Sequence, residues 1–231
     1  MKRSVHETFR LSAVASPALL VLPIKAFDNA KGRLANVLEP AQRIRLAREC
    51  ASRVARAAEG CDILVVTGAV GDTASPHPEI LDWATRHGAA CITQSEPGLN
   101  AAVRDGVRFA ATNNYPTVVV AHSDVPLATP VVEFVESDTV VIVPDTQRDG
   151  TNLMSIPVAV AERFEFHYGP GSFRAHRDEA RRLGHEPRIV ASREWGLDLD
   201  TPEDLDDPRL REALPWLFEM AGLVDITKED S

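Results

Sequence analysis

The sequence predicts a single α/β domain: a mainly parallel, twisted sheet with helices on both faces. Three observations predict it. Short continuous apolar runs recur along the 231-residue chain, as strands covered on both faces require. Between them lie segments with apolar residues at helical spacing, at intervals that fit βαβ units with right-handed crossovers. The length suits one large domain, and no internal repeat or low-complexity linker divides it. The domain is expected over 18–222, between a flexible N-terminal tail (1–17) and a charged C-terminal tail (223–231).

Taken in order, Leu19–Ile24 (LLVLPI) is the first strand. A loop rich in basic and small residues follows over 25–39. Pro40 opens a helix whose Ala47, Cys50, Ala51, Val54, Ala55 and Ala58 share one face, and Gly60 ends it. Asp62–Thr67 is the next strand. A polar loop with Pro76 and Pro78 leads to a helix near 79–87, then a short strand at 89–93. Pro97 and Gly98 turn the chain into a helix over 99–111. Thr117–Ala121 (TVVVA) is a strong strand. Residues 126–136 read as helical, 139–143 as a strand, and 152–157 as a return to the sheet. A helix over 172–183, a strand over 187–191 and a helical region from Pro202 to about Ala221 complete the pattern.

Composition narrows the function. Apolar residues make up 44% of the chain and charged residues 26%, which suits a soluble domain with a proper core. The net charge of −9 argues against nucleic-acid binding, which needs clustered Lys and Arg. No apolar run reaches the roughly 18 residues that cross a bilayer. The segment 1–16 lacks the apolar stretch of a signal peptide. Cys50, Cys61 and Cys91 are odd in number and show no CxxC spacing, so reduced thiols in a cytoplasmic protein are expected.

In parallel sheets ligands bind at the carboxyl ends of strands, so the polar residues just after each strand are the candidates. After the first strand come Lys25, Lys31 and Arg33, which either contact a phosphate or form a solvated basic loop. After the fourth strand come Ser123, Asp124 and Pro126. Asp124 is placed to hold Mg²⁺, a cation that takes oxygen ligands, or else to cap a helix. Asp198-Leu199-Asp200-Thr201-Pro202-Glu203-Asp204 carries four carboxylates in seven positions. Capping accounts for Thr201 to Asp204, with Pro202 at the first helical position. In extended chain Asp198 and Asp200 point the same way, and two such carboxylates repel unless a cation or hydrogen bonds offset them.

Asp149-Gly150-Thr151-Asn152 is either a plain turn or a ligand loop, with Gly150 permitting close backbone approach. Tyr168-Gly169-Pro170-Gly171-Ser172-Phe173 precedes a helix. It forms an anion site at that helix N-terminus, or Ser172 is an ordinary cap. Asn100, at the start of the helix after Gly98, could hydrogen-bond a base or ribose. His122 and His167 lack a neighbouring nucleophile and receive no catalytic role.

Together these segments resemble a known family. Leu22-Pro23-Ile24-Lys25, Ala30-Lys31-Gly32-Arg33-Leu34, Gly98-Leu99-Asn100-Ala101-Ala102, Ser123-Asp124-Val125-Pro126, Asp149-Gly150-Thr151-Asn152-Leu153, Gly169-Pro170-Gly171-Ser172-Phe173 and Asp198-Leu199-Asp200-Thr201-Pro202 occur in the order seen in the 2-phospho-L-lactate/phosphoenolpyruvate guanylyltransferases of coenzyme F-420 biosynthesis. The resemblance covers about 18–206. It implies a nucleotide-diphospho-sugar-transferase-like (Rossmann-like) fold, similar to the molybdopterin-guanine nucleotidyltransferases.

The resemblance also implies transfer of GMP from GTP to phosphoenolpyruvate, 2-phospho-L-lactate or 3-phosphoglycerate, releasing diphosphate. Thr151, Gly169 and Ser172, with Asn152 and Arg33, would bind the acceptor. Pro23, Gly98, Asn100 and Ser123 would face the nucleotide, and Asp124, Asp198 and Asp200 would hold Mg²⁺. Lys25, Lys31 and Asp124 would act in catalysis. The product would pass to a downstream deazaflavin transferase, and the enzyme would be a monomer or homodimer. The first loop carries Pro23-Ile24-Lys25 where the wider superfamily has a Gly-Gly pair, so the choice of GTP rests on analogy. Three other readings compete: a nucleotidyltransferase for a sugar phosphate or molybdopterin, a nucleotide-binding regulatory module without turnover, and a glycosyltransferase using Asp198-Leu199-Asp200 as its DxD motif.

Overall fold

The computed structural model describes residues 16–69 and 75–220. Of the two tails expected at the ends, only Ser16 and Pro17 fall within these. Ser16 is tied to the sheet: its hydroxyl donates to the carbonyl of Ala18 and accepts from the Asp62 N–H.

Among the described residues seven strands form one sheet: β1 (Leu19–Pro23), β2 (Asp62–Thr67), β3 (Ala90–Thr93), β4 (Thr117–Ala121), β5 (Val141–Pro144), β6 (Thr151–Pro157) and β7 (Arg188–Ile189). Their order is β3-β2-β1-β4-β6-β5-β7. Strand β6 pairs antiparallel with both β4 and β5, and every other pairing is parallel. The sheet is therefore mainly parallel, as the apolar runs predict. The chain starts in the middle at β1, moves outward through β2 and β3, then returns to the other side of β1 as β4. That reversal leaves a crevice between the carboxyl ends of β1 and β4.

Alternation along the strands sorts side chains onto two faces. Leu20, Leu22, Val65 and Val119 pack under α1 (Pro40–Ala57) and α2 (Pro78–Arg86). Leu19, Val21, Leu64 and Val118 pack under α3 (Leu99–Thr112), the short α4 (Val158–Ala161) and α5 (Ser172–Arg182). Helix α1 forms where expected: Pro40 opens it, Gln42 accepts from the Glu39 N–H, and its apolar face is buried. Helix α3 comes so close to β1 that a Cβ on Gly106 would collide with Val21.

A third apolar cluster lies at the edge. Leu34, Leu38, Leu46 and Cys50 meet Leu197, Leu199, Leu205 and Leu210. It fastens the C-terminal segment onto α1 and the first loop.

Two segments expected to be helical differ, and proline explains both. Residues 126–136 form turns and one 3₁₀ turn (Val131–Phe134), not a helix. Pro130 would clash inside a helix and biases Thr129 toward extended backbone. The Thr129 carbonyl instead accepts from the Trp195 indole. The helical region from Pro202 is broken into a 3₁₀ turn (Pro202–Asp206), α6 (Arg209–Ala213) and α7 (Pro215–Met220), with Pro208 and Pro215 at the breaks. Its expected end at Ala221 lies outside the described residues. The strand expected at 187–191 pairs only over Arg188–Ile189.

Candidate active site

A cavity of about 430 Å³ opens at the crevice between β1 and β4. Pro23, Ile24 and Lys25 line it from the end of β1, and His122, Ser123 and Asp124 from the end of β4. The N-terminus of α3 adds Gly98 and Leu99, the first loop Lys31, and the C-terminal segment Asp198 and Asp200. Gly98 has φ of +115°, a backbone conformation that L side chains rarely adopt.

Asp124 has no helix to cap, because none follows it. Its backbone carbonyl accepts from the Leu199 N–H, which lays the Asp198–Asp200 segment against the end of β4. Leu199 is buried in the third cluster, so alternation turns Asp198 and Asp200 together toward the cavity. Asp204 fixes the following turn by accepting from the N–H groups of Asp200 and Thr201 and from the Thr201 hydroxyl.

Lys31 sits at the centre. Its backbone is left-handed, with φ of +56°, and its side chain is only 5% exposed. The ammonium lies 2.8 Å from Asp200 Oδ1 and 3.2 Å from Asp124 Oδ2. Burial alone would lower its pKa, but the two carboxylates outweigh this and raise it. Burial likewise works against charge on Asp124, yet Lys31 and His122 hold its pKa below the usual carboxylate range. Asp198 moves the other way: burial and repulsion from Asp124 raise it. Asn152 steadies this segment by donating to the Trp195 carbonyl at 3.0 Å and to Asp198 Oδ1 at 3.4 Å. Beneath Lys31, burial pushes the Cys50 thiol up to about 12, so it is an uncharged thiol.

The donor set suits a hard cation: three carboxylates line one cavity, and Asp124 Oδ1 is buried without a hydrogen-bond partner. Among the described residues no three His, Cys, Asp or Glu side chains converge on a common point to hold a metal. Lys31 instead bridges Asp124 and Asp200.

The expected acceptor-binding residues lie beside the cavity rather than in its lining. Thr151 is fully buried, and its hydroxyl is 3.0 Å from His176 Nδ1. Asp145 shapes the preceding turn by accepting from the N–H groups of Asp149 and Gly150. Gly171 takes the cap position of α5, so Ser172 is its buried first residue. Asn100 hydrogen-bonds both backbone groups of Tyr168 and so holds the Gly169 loop. Arg33 is exposed and outside the cavity lining, whereas Lys25 is exposed at its rim. His122, given no role from sequence, lines the cavity. No motif marks it; its signal is position at the end of β4.

The family model described as "Guanylyl transferase CofC like" matches residues 18–210. The chain belongs to this family. Among curated relatives of this guanylyl transferase is the phosphoenolpyruvate guanylyltransferase of Rubrobacter xylanophilus, 36% identical over 80% of this chain and 90% of that protein. Another is the 2-phospho-L-lactate guanylyltransferase of Haloarcula marismortui, 27% identical over 90% of this chain and 98% of that one. A putative nucleotide-diphospho-sugar transferase from Desulfovibrio desulfuricans G20 shares the fold with a TM-score of 0.71 at 15% identity, covering 90% and 96% of the two chains. The guanylyl transferase thus has the nucleotide-diphospho-sugar-transferase fold. Among its described residues, no helix is long and apolar enough to cross a membrane.

Proposed function

We propose that this guanylyl transferase moves GMP from GTP to the phosphate of a small phosphorylated acid. Phosphoenolpyruvate, 2-phospho-L-lactate and 3-phosphoglycerate are the candidate acceptors. The observation that carries the reading is the convergence of Lys25, Lys31, Asp124, Asp198 and Asp200 on one cavity at the topological switch of the sheet. The named activities of the relatives supply the nucleotide and the acceptor class.

An acceptor phosphate oxygen attacks the α-phosphorus of GTP. The bond to the β-phosphate oxygen breaks, and diphosphate leaves with its electron pair. The nucleophile is already anionic at neutral pH, so no general base is needed. The task is to hold two anions in line and offset their charge. Lys25 and Lys31 supply fixed positive charge toward the departing diphosphate. Pro23, Gly98 and Ser123 wall the nucleotide end. Asp124, Asp198 and Asp200 would hold Mg²⁺, which when bound neutralises phosphate oxygens. Thr151, Asn152, Gly169 and Ser172 shape the acceptor end, with Arg33 outside it.

Three free thiols among the described residues suit a cytoplasmic enzyme, where GTP is available. The product is an activated diphosphate-linked acid, which fits onward transfer to a deazaflavin acceptor in coenzyme F-420 biosynthesis. A panel of nucleotides against the three acids, read by diphosphate release and mass spectrometry of the product, tests the reading. Diphosphate released only with GTP and one of these acids is the expected result. GTP binding without release for any acceptor, or release driven by sugar phosphates instead, overturns it.

A further inference from the structure

We propose that His122 and Tyr168 are specificity-determining contacts for the acceptor, donating to the anionic oxygens of the phosphorylated acid where the end of β4 meets the Tyr168–Gly171 loop. This rests on the guanylyl-transfer reading above. Buried side-chain polar atoms are normally hydrogen-bonded, and exceptions call for a cause. Asp124 Oδ1, His122 Nε2 and the Tyr168 hydroxyl are three such exceptions, two on residues that line the cavity and one in the loop beside it. A cation held by the carboxylates would account for the first. The other two belong to rings whose centroids lie 5.7 Å apart, one lining the cavity and one in the loop beside it.

Both residues are held at the backbone. The His122 backbone N–H donates to the Asn152 carbonyl, which fixes its place at the strand end. The Tyr168 backbone is held on both sides by Asn100, whose Oδ1 accepts its N–H at 2.7 Å and whose Nδ2 donates to its carbonyl at 3.3 Å. The Tyr168 ring packs edge-on against His176 at 4.6 Å and near-parallel to Phe166 at 6.5 Å. His176 is itself fixed. Its Nε2 accepts from the His167 N–H, which leaves the proton on Nδ1, facing the Thr151 hydroxyl. Tyr168 is thus a clamped phenol, 9% exposed, whose hydroxyl has no hydrogen-bond partner among the described residues.

A phenol O–H and an imidazole ring N–H are hydrogen-bond donors. Both suit a carboxylate or phosphate oxygen. A site built to hydrogen-bond a group on its substrate discriminates strongly, because its buried donors are otherwise left unpaired.

The test uses the whole protein and the variants Tyr168→Phe and His122→Phe, which keep a ring and remove the donor. KM for phosphoenolpyruvate, 2-phospho-L-lactate and 3-phosphoglycerate, KM for GTP and thermal midpoint are measured for each. We expect KM for the acceptor that wild type uses to rise about tenfold or more, as for a lost hydrogen bond to a charged group, with KM for GTP within about twofold. Tyr168→Phe should melt no lower than wild type, since the hydroxyl it loses has no protein partner. Unchanged acceptor KM in both variants, an equal rise for GTP, or a lower melting point for Tyr168→Phe overturns the proposal while leaving guanylyl transfer intact. A wild-type enzyme that turns over none of these acids overturns both.

Discussion

Asp124 meets demands that a helix cap would not. It is half-buried, one oxygen faces Lys31, and the other is shielded from solvent without a hydrogen-bond partner. Asp124→Ala should lower kcat about a hundredfold or more, the scale for losing one preorganised electrostatic contact. The fold should survive, because Lys31 keeps Asp200 as its partner. Near-normal turnover in a steady-state diphosphate assay would remove Asp124 from the site. His176 gives a pH prediction. Burial, aided by the charges of His167 and His122, lowers its pKa from 6.5 to about 4. The unfolded chain therefore binds a proton there that the folded protein excludes. Stability from this group is fully present above pH 6.5 and is lost as pH falls toward 4, by about 3 kcal/mol in total. His176→Gln should flatten that slope in melting curves taken between pH 7 and 4. Asp124 could be read from sequence because it follows a strand end, and Asp198 and Asp200 because alternation turns two carboxylates the same way. Tyr168 could not, since what distinguishes it is a missing partner in three dimensions, and His122 had only its position after β4 to mark it.

At the scale of elements, the strands announced themselves wherever they were apolar on both faces. Residues 62–67 and 117–121 lie where the runs put them. The misread stretches have one cause: apolar spacing at 126–136 and 202–221 looks helical, but Pro130, Pro208 and Pro215 interrupt the hydrogen-bond ladder. That correction bears on function, because it leaves Asp124 free for a ligand. Helix α3 shows a constraint that periodicity hides. Gly106 lies on the helix face against β1, where a Cβ would meet Val21. Gly106→Ala should therefore destabilise the protein by about 1–3 kcal/mol despite the better helix propensity of alanine. A rise in melting temperature would show that α3 can move off the sheet. Because α3 also presents Gly98 and Leu99 to the cavity, the same variant should raise KM for GTP.

At the scale of the whole molecule, sequence left the strand order open. The antiparallel insertion of β6 between β4 and β5 depends on which edge the returning chain meets, and strands of either direction share the same apolar pattern. It also hid the closure of the chain on itself. Lys31 and Asp200 are 169 residues apart in sequence, yet their side chains meet at 2.8 Å. The leucine cluster from 34 to 210 brings the two ends together and so builds the acidic half of the site. The Lys31 ammonium then occupies the place of positive charge among carboxylates that would otherwise repel. Removing it should expose that repulsion. Breaking a fully buried pair costs roughly 3–5 kcal/mol; with the Asp200 side chain 41% exposed, Lys31→Met should lose about 2 kcal/mol in chelator, some 4–8 °C in melting temperature. Magnesium, binding the folded carboxylates and not the unfolded chain, should restore much of that loss. Wild type, already partly neutralised by Lys31, should gain less from the same addition. Melting curves of both proteins in chelator and in a magnesium series decide it. A Lys31→Met protein as stable as wild type in chelator, or one that magnesium leaves unchanged, would mean that these three carboxylates neither need a counter-charge nor gather a cation.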